Sequence, residues 1–187
     1  MIVALVSIIS VVVLILLWYV FTSNNFVAKN NRAKQCSSGI CVALKQRNDM
    51  LPNLVATVKS YMKHENETLT KIVELRSKAA DAKTDEEQIA LGNQISAMLP
   101  KLNVMVEDYP ELRANESAMN LQHSIRAMED ELQAIRRTYN AAVTDFNNYV
   151  EMFPSSIIAS RKGLKVMELI EIPESEKVNV NISELFK

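Results

Sequence analysis

LQHSIRAMEDELQAIRRTYNAAVTDFNNYVEMF, residues 121–153, carries the most regular pattern in the chain. Its apolar positions are Leu121, Ile125, Met128, Leu132, Ile135, Tyr139, Ala142, Phe146, Tyr149 and Phe153, separated alternately by four and three residues. That alternation draws one stripe along a helix, the seam of helices packed side by side. Arg126, Glu129, Asp130, Arg136 and Arg137 fall on the remaining faces, where a solvated surface is expected. Asn115 or Ser117 can cap the start, and Pro154 halts the end. The spacing therefore predicts a helix of about 55 Å over 117–153.

Toward the amino terminus, a second seam runs through Leu44, Leu51, Val55, Val58, Met62, Leu69 and Ile72, with Asn48, Glu65 and Arg76 as polar interruptions. Pro52 lies inside it, so a kink or break is expected over 48–52. A third helix is expected to begin at Thr84, because Thr84-Asp85-Glu86-Glu87 is a capping box. Its apolar face is Ile89, Ile95, Met98, Leu99, Leu102, Met105 and Val106; Pro100 should bend it, and Tyr109-Pro110 should end it. After Pro154, Ser155 or Ser156 can cap a shorter helix bearing Ile157, Ile158, Leu164 and Met167. Residues 171–187 lack a helical stripe and read as extended or disordered.

The amino terminus itself has another character. From Ile2 to Phe21 the chain is apolar apart from Ser7 and Ser10, and Trp18 and Tyr19 stand where an interfacial aromatic belt would put them. Twenty helical residues cover about 30 Å, the thickness of a bilayer's hydrocarbon core. A cleaved signal peptide wants a basic start, a shorter apolar run and a small-residue cleavage site, none of which is evident. Residues 1–22 are thus read as a retained transmembrane anchor and 23–39 as a basic juxtamembrane segment. The bundle is placed at 40–170 and the tail at 171–187. Lys29, Arg32, Lys34, Lys45 and Arg47 all precede the first acidic residue, Asp49. The positive-inside rule then places the bundle in the cytoplasm with a short N-terminus outside. The same residues, Lys29, Arg32 and Lys34 foremost, serve either topology or contact with anionic headgroups.

Composition supports long helices. Among 187 residues there are only three glycines, Gly39, Gly92 and Gly163, too far apart for a phosphate-binding loop or a Rossmann turn. Beyond Arg47 sixteen basic residues face twenty-two acidic ones, a balance that repels nucleic acid. The fold class expected is all-α: an N-terminal transmembrane helix, then an elongated antiparallel bundle of three long helices and one shorter.

Three stretches together resemble the LemA family of bacterial membrane proteins. They are Ile40-Cys-Val-Ala-Leu-Lys-Gln-Arg-Asn-Asp-Met-Leu-Pro-Asn-Leu-Val55 with its continuation to Glu65, Tyr109-Pro-Glu-Leu-Arg-Ala-Asn-Glu116, and Tyr139-Asn140-Ala141-Ala142-Val143 through Asp145-Phe146-Asn147 to Phe153-Pro154. With the apolar start, the likeness covers nearly the whole chain. It implies a single-pass anchor, an antiparallel helical bundle, no agreed enzymatic activity and a scaffold or adaptor role among membrane-associated proteins. The motif residues it singles out as structural or partner-facing are Arg47, Pro52, Asn53, Tyr109, Pro110, Asn115, Tyr139, Asn140, Asn147, Phe153 and Pro154. The chain departs from the family before Ile40, where a Trp is frequent, and at Cys41, where Asp is frequent.

Chemistry-bearing residues are sparse. His64 and His123 lack the partners of a zinc motif, and Tyr61 and Asn120 stand where a di-iron bundle would need Glu. Cys36 and Cys41 diverge by about 140° if helical; free structural thiols are favoured, with a bridge across a Ser37-Ser38-Gly39 turn, zinc binding and palmitoylation as alternatives. No nucleophile elbow or catalytic triad is visible, and no cofactor is expected. Asn53 can serve carbonyls freed by Pro52, while Asn140 and Asn147 can fix helix register as buried amides. The function expected is a non-enzymatic membrane-anchored scaffold or adaptor. Its partners would be the lipid bilayer and other membrane-associated proteins, with self-association as a further expectation. The alternative is an extracytoplasmic ligand-binding or adhesion module of opposite topology.

Overall fold

One helix supplies both the apolar N-terminal run and the first rod of the bundle. In the computed structural model, which describes residues 1–62 and 67–170, α1 extends without interruption from Ile2 to Tyr61. Sixty residues at 1.5 Å each make it about 90 Å long. The helices α2 (Glu67–Asp81), α3 (Asp85–Glu107), α4 (Pro110–Arg113), α5 (Glu116–Glu151) and α6 (Ser155–Lys162) come after it, and no strand occurs among the described residues. His64, Glu65 and the tail 171–187 lie outside those residues. The second seam is therefore shared: Leu44 to Val58 belongs to the end of α1, Met62 follows directly after it, and Leu69 and Ile72 belong to α2.

The chain divides into two compact units, each crossed by α1 and α5. In the unit comprising Ser37–Arg136, α1, α2, α3 and α5 alternate in direction. Asn48 of α1 meets Arg76 of α2, and Leu44 and Arg47 of α1 meet Gly92 and Ser96 of α3. Asn103 and Asn93 of α3 meet Gln122 and Arg136 of α5. The core here is Leu51, Leu54, Val55 and Val58 with Leu69, Ile72, Leu75, Ile95, Leu99, Leu102, Val106, Leu112 and Ile125. Apart from Leu54, Leu75 and Leu112, which the seams did not include, these are positions of the predicted stripes turned inward. Thr84 caps α3 by accepting from the Glu87 amide, and Asn115 caps α5 by accepting from the Ala118 amide. The Asn115 amide also donates to the Tyr61 hydroxyl, tying that cap to the end of α1.

The break expected near Pro52 is absent, and the reason is local. Proline has no N–H, so the Asn48 carbonyl four residues back loses its helical donor. Arg76 Nε from α2 donates to that carbonyl at 3.0 Å instead. Asn53, expected to do this, is exposed at the surface. Arg76→Leu should therefore leave the Asn48 carbonyl short of a partner and cost about 1–3 kcal/mol. In a Pro52→Ala background, where residue 52 supplies an N–H again, the same change should cost clearly less. Thermal unfolding of the four chains of this double-mutant cycle measures the difference.

The other unit joins Met1–Cys36 to Arg137–Ile170. Phe26 of α1 is buried against Phe146 and Tyr149 of α5, with ring centroids at 6.3 and 4.7 Å, and Ile158 and Ala159 of α6 complete the cluster. Farther along, Ala33 packs with Ala142 and Val143, and Cys36 and Tyr139 border them. Contacts move up α1 as they move down α5, so the two run antiparallel in this unit. The α5 helix ends at Glu151, which takes Phe153 out of the seam; it is 80% exposed, contrary to the stripe pattern. Pro154 occupies the N-cap of α6, and Ser155 Oγ donates to the Met152 carbonyl instead of capping. Gly163, at φ 64°, closes α6 in the left-handed conformation. Leu164 and Met167 consequently lie beyond the helix expected to carry them.

Side-chain amides hold the segment after Gly163. Asn147 Nδ2 donates to the Met167 carbonyl at 2.9 Å, and the Met167 amide donates to Asn147 Oδ1 at 2.8 Å. Asn140 repeats the exchange with Ile170, both bonds at 3.0 Å. Seven residues of helix rise about 10.5 Å, and three residues of extended chain cover about 10 Å. The two spacings match, so each side-chain amide imitates a neighbouring strand. Asn140 and Asn147 thus grip an extended main chain antiparallel to α5, a different task from setting helix–helix register.

Candidate functional site

Three helices deliver a buried polar cluster to the unit formed by Ser37–Arg136. From α1 comes Arg47, from α3 Gly92, Asn93 and Ser96, and from α5 Glu129 and Arg136, two helical turns apart. Both guanidinium side chains are only 1% exposed, and Glu129 is 16% exposed. Arg47 Nη1 donates to Glu129 Oε2 at 2.8 Å and to Ser96 Oγ at 2.7 Å, while its Nη2 donates to the Gly92 carbonyl at 3.0 Å. Ser96 Oγ donates to the second carboxylate oxygen of Glu129. Arg136 Nη2 donates to Asn93 Oδ1 at 2.8 Å, and its Nη1 lies 3.7 Å from Glu129 Oε1. The Glu129 carboxylate thus lies within 4 Å of both buried guanidinium groups, and the Arg47 Nε–H is buried without an acceptor.

Gly92 makes this geometry possible. A Cβ at that position would sit 2.5 and 2.9 Å from the two methyls of fully buried Leu44, so only glycine lets α3 approach α1 closely enough for Arg47 to reach its carbonyl. Beside the cluster, α3 and α5 border a groove of about 350 Å³. Leu54, Leu99, Leu102 and Ile125 form its apolar lining, and Ser96, Asn103, Gln122 and Glu129 its polar lining.

The cluster corrects three expectations. Glu129 and Arg136 belong by spacing to a solvated face, yet both are drawn inward. A helix packed against two neighbours buries a stripe wider than a two-residue seam. Arg47, one of the basic flank by sequence, is a core residue, 26 positions and about 39 Å of helix beyond Phe21. Ser96, Asn93 and Gly92 carry no mark in the motif pattern. The available signal is charge at helical spacing: Glu129 and Arg136, seven apart, share a face that a solvated surface leaves without a partner.

The remaining sequence-selected residues divide by place. Ile2, Trp18, Tyr19 and Phe21 lie on the exposed surface of α1, and this stretch is long and apolar enough to cross a membrane. Lys29 holds its ammonium 5.6 Å from the Tyr149 ring centroid, while Arg32 and Lys34 face solvent. Pro52 is half-buried in α1; Tyr109 caps α4 through its backbone and packs on the core, and Pro110 begins α4. The Tyr139 hydroxyl points at the Glu168 carbonyl, 3.5 Å away.

His123 is exposed on α5, and among the described residues no three of His, Cys, Asp and Glu converge as a metal-binding group. Both cysteines are free thiols on the unbroken α1, which excludes the Ser37-Ser38-Gly39 turn a bridge would need. Burial, and next the Asp85 carboxylate that accepts the thiol's hydrogen bond, push Cys41 up to about 11 from 9.0. Its thiolate fraction near neutral pH is then about a hundredfold below that of an ordinary thiol. In a Cys36→Ser chain, iodoacetamide should label Cys41 slowly at pH 8, and Asp85→Asn should raise the rate.

Residues 36–183 match the model of the LemA family. Over 168 residues the chain is 32% identical to Protein LemA of Metamycoplasma hominis, covering 89% of this chain and 77% of that protein. With its family match, the similarity to that relative and the all-helical architecture taken together, the chain belongs to the LemA family.

Proposed function

We propose that the chain is a single-pass membrane protein whose helical bundle serves, without catalysis of its own, as a scaffold or adaptor for other membrane-associated proteins. The observation that carries this reading is the continuity of α1, whose apolar N-terminal third and bundle-forming remainder are one helix. A partner docked on the bundle is thereby confined to the membrane surface, where its effective concentration rises without any new contact. The polar, exposed side of α5 and the surface around Pro52 and Asn53 are the docking faces this reading assigns. The buried cluster at Glu129 holds the helices that present them. Ser96 and Glu129 do touch, but Arg47 pairs with the carboxylate and no imidazole among the described residues stands beside it, which is the chemistry of a lock and not of proton transfer.

Lys29, Arg32 and Lys34, the basic residues that follow Phe21 most closely, orient the bundle toward the cytoplasm. A reporter active only in the cytoplasm, fused after Lys187, should be active. An inactive fusion would reverse the topology and favour an extracytoplasmic binding module. Cross-linking and affinity capture of the full chain from native membranes should then recover membrane-associated proteins. Recovery should fall when exposed charges of α5, such as Arg126 and Arg137, are reversed. Capture of nothing beyond the chain itself would refute the adaptor reading.

A further inference from the structure

We propose that the corner between α5 and α6 is a second membrane contact, with Met152, Phe153 and Ile157 seated in the interfacial layer of the bilayer that α1 crosses. This rests on the reading of Ile2–Phe21 as a bilayer span. Met152 is 62% exposed, Phe153 80% and Ile157 47%, three large apolar side chains around one turn. Elsewhere in this unit Phe146, Ile158 and Ala159 turn inward onto Phe26, and Ala142 and Val143 onto Ala33.

Height decides the occupant. Phe26 lies five residues past Phe21, about 7.5 Å along α1. The headgroup layer extends roughly 5–7 Å beyond the hydrocarbon on each side. Phe26 therefore stands at the outer edge of that layer, and the Tyr149 ring lies tilted against it. Because α5 runs antiparallel to α1 here, the chain after Tyr149 descends toward Phe21. By Glu151, its last helical residue, α5 has come down to about the level of Asn24, and Met152 and Phe153 follow directly at that end. Ile157 sits beside Ile158, which packs in the Phe26 cluster, and so stays within the same band. An exposed aromatic and two aliphatic side chains within this interfacial band meet lipid, and each loses contact with water as it does so. The Lys29 ammonium, over the Tyr149 ring, lies about one turn of α1 beyond the Phe26 level, just past the headgroup layer and within reach of anionic phosphates.

The test uses the full chain in phosphatidylcholine–phosphatidylglycerol vesicles. Trp18 is the single tryptophan, so its emission reports the anchor, and a Trp18→Phe, Phe153→Trp chain reports the corner. Ile157→Trp provides a second corner probe, and Asn53→Trp a distant one, each in the Trp18→Phe background with helicity checked by circular dichroism. Lipid brominated near the top of its acyl chains should quench Trp18 and both corner probes by more than half and leave the Asn53 probe unaffected. Trp18 quenched with both corner probes unquenched would overturn the corner contact while leaving the anchor standing. Corner emission that shifts with the protein-to-lipid ratio but ignores bromolipid would give the corner to a second copy and equally overturn it. An unquenched Trp18 would remove both readings.

Discussion

Glu129→Ala is expected to lower the unfolding free energy by about 3–5 kcal/mol, because it takes the paired carboxylate away from the buried Arg47 guanidinium and a nearby negative charge away from Arg136. For a chain of this size each kcal/mol moves the melting temperature by roughly 2–4 °C. Circular dichroism of the full chain in detergent micelles reads the shift directly. Glu129→Gln should lie between wild type and alanine: it keeps an acceptor for Ser96 and Arg47 and loses the charge. The triple exchange Arg47→Met, Glu129→Leu, Arg136→Met should cost less than Glu129→Ala alone, since apolar replacement removes the desolvation penalty together with the pairing. If the triple chain were the least stable of the set, the cluster's contribution would be a net attraction and not the avoidance of an unpaired charge.

The second large effect concerns the extended segment after Gly163. Four hydrogen bonds join Asn140 and Asn147 to Met167 and Ile170, each contributing about 1 kcal/mol. The double exchange Asn140→Leu, Asn147→Leu removes all of them while retaining bulk on α5. The Met167 and Ile170 amides should then exchange with solvent some hundredfold or more faster, about 1.4 kcal/mol corresponding to each tenfold. Amides in the middle of α5 should keep their protection, because the helix ladder does not depend on these side chains. Single exchanges should release the nearer amide first, Met167 for Asn147 and Ile170 for Asn140. Equal exchange rates in both chains would mean that Leu164 and Met167 packing, not the amide ladder, holds the segment.

The legibility of these features in the sequence depends on the range of the interaction that makes them. The α5 stripe, the Thr84 and Asn115 caps and the stop before Pro154 are local, and each is visible in spacing alone. Continuity of α1 through Pro52 is not, because the replacement donor, Arg76, lies 28 residues away on another helix. Asn140 and Asn147 are recognisable as a pair on one face. Their partners are main-chain groups, which carry no side-chain signature in a sequence. Glu129 is, by sequence, one of three consecutive carboxylates on a wet surface; only the approach of α3 at Gly92 turns it inward. Residues set by period and capping are thus readable, and residues set by which helix packs on which face are not.

Under the proposed function, one helix leaves the bilayer and becomes the first rod of the bundle. Nitroxide side chains placed singly from Ile8 to Ile40 in vesicle-bound protein test that continuity in one scan. Helical periodicity of label mobility should continue unbroken through residues 22–40, with oxygen accessibility dominating up to Phe21 and falling beyond it. Loss of the period between Thr22 and Gly39, or water-soluble relaxant reaching residues 8–16 as freely as residues 31–35, would contradict it.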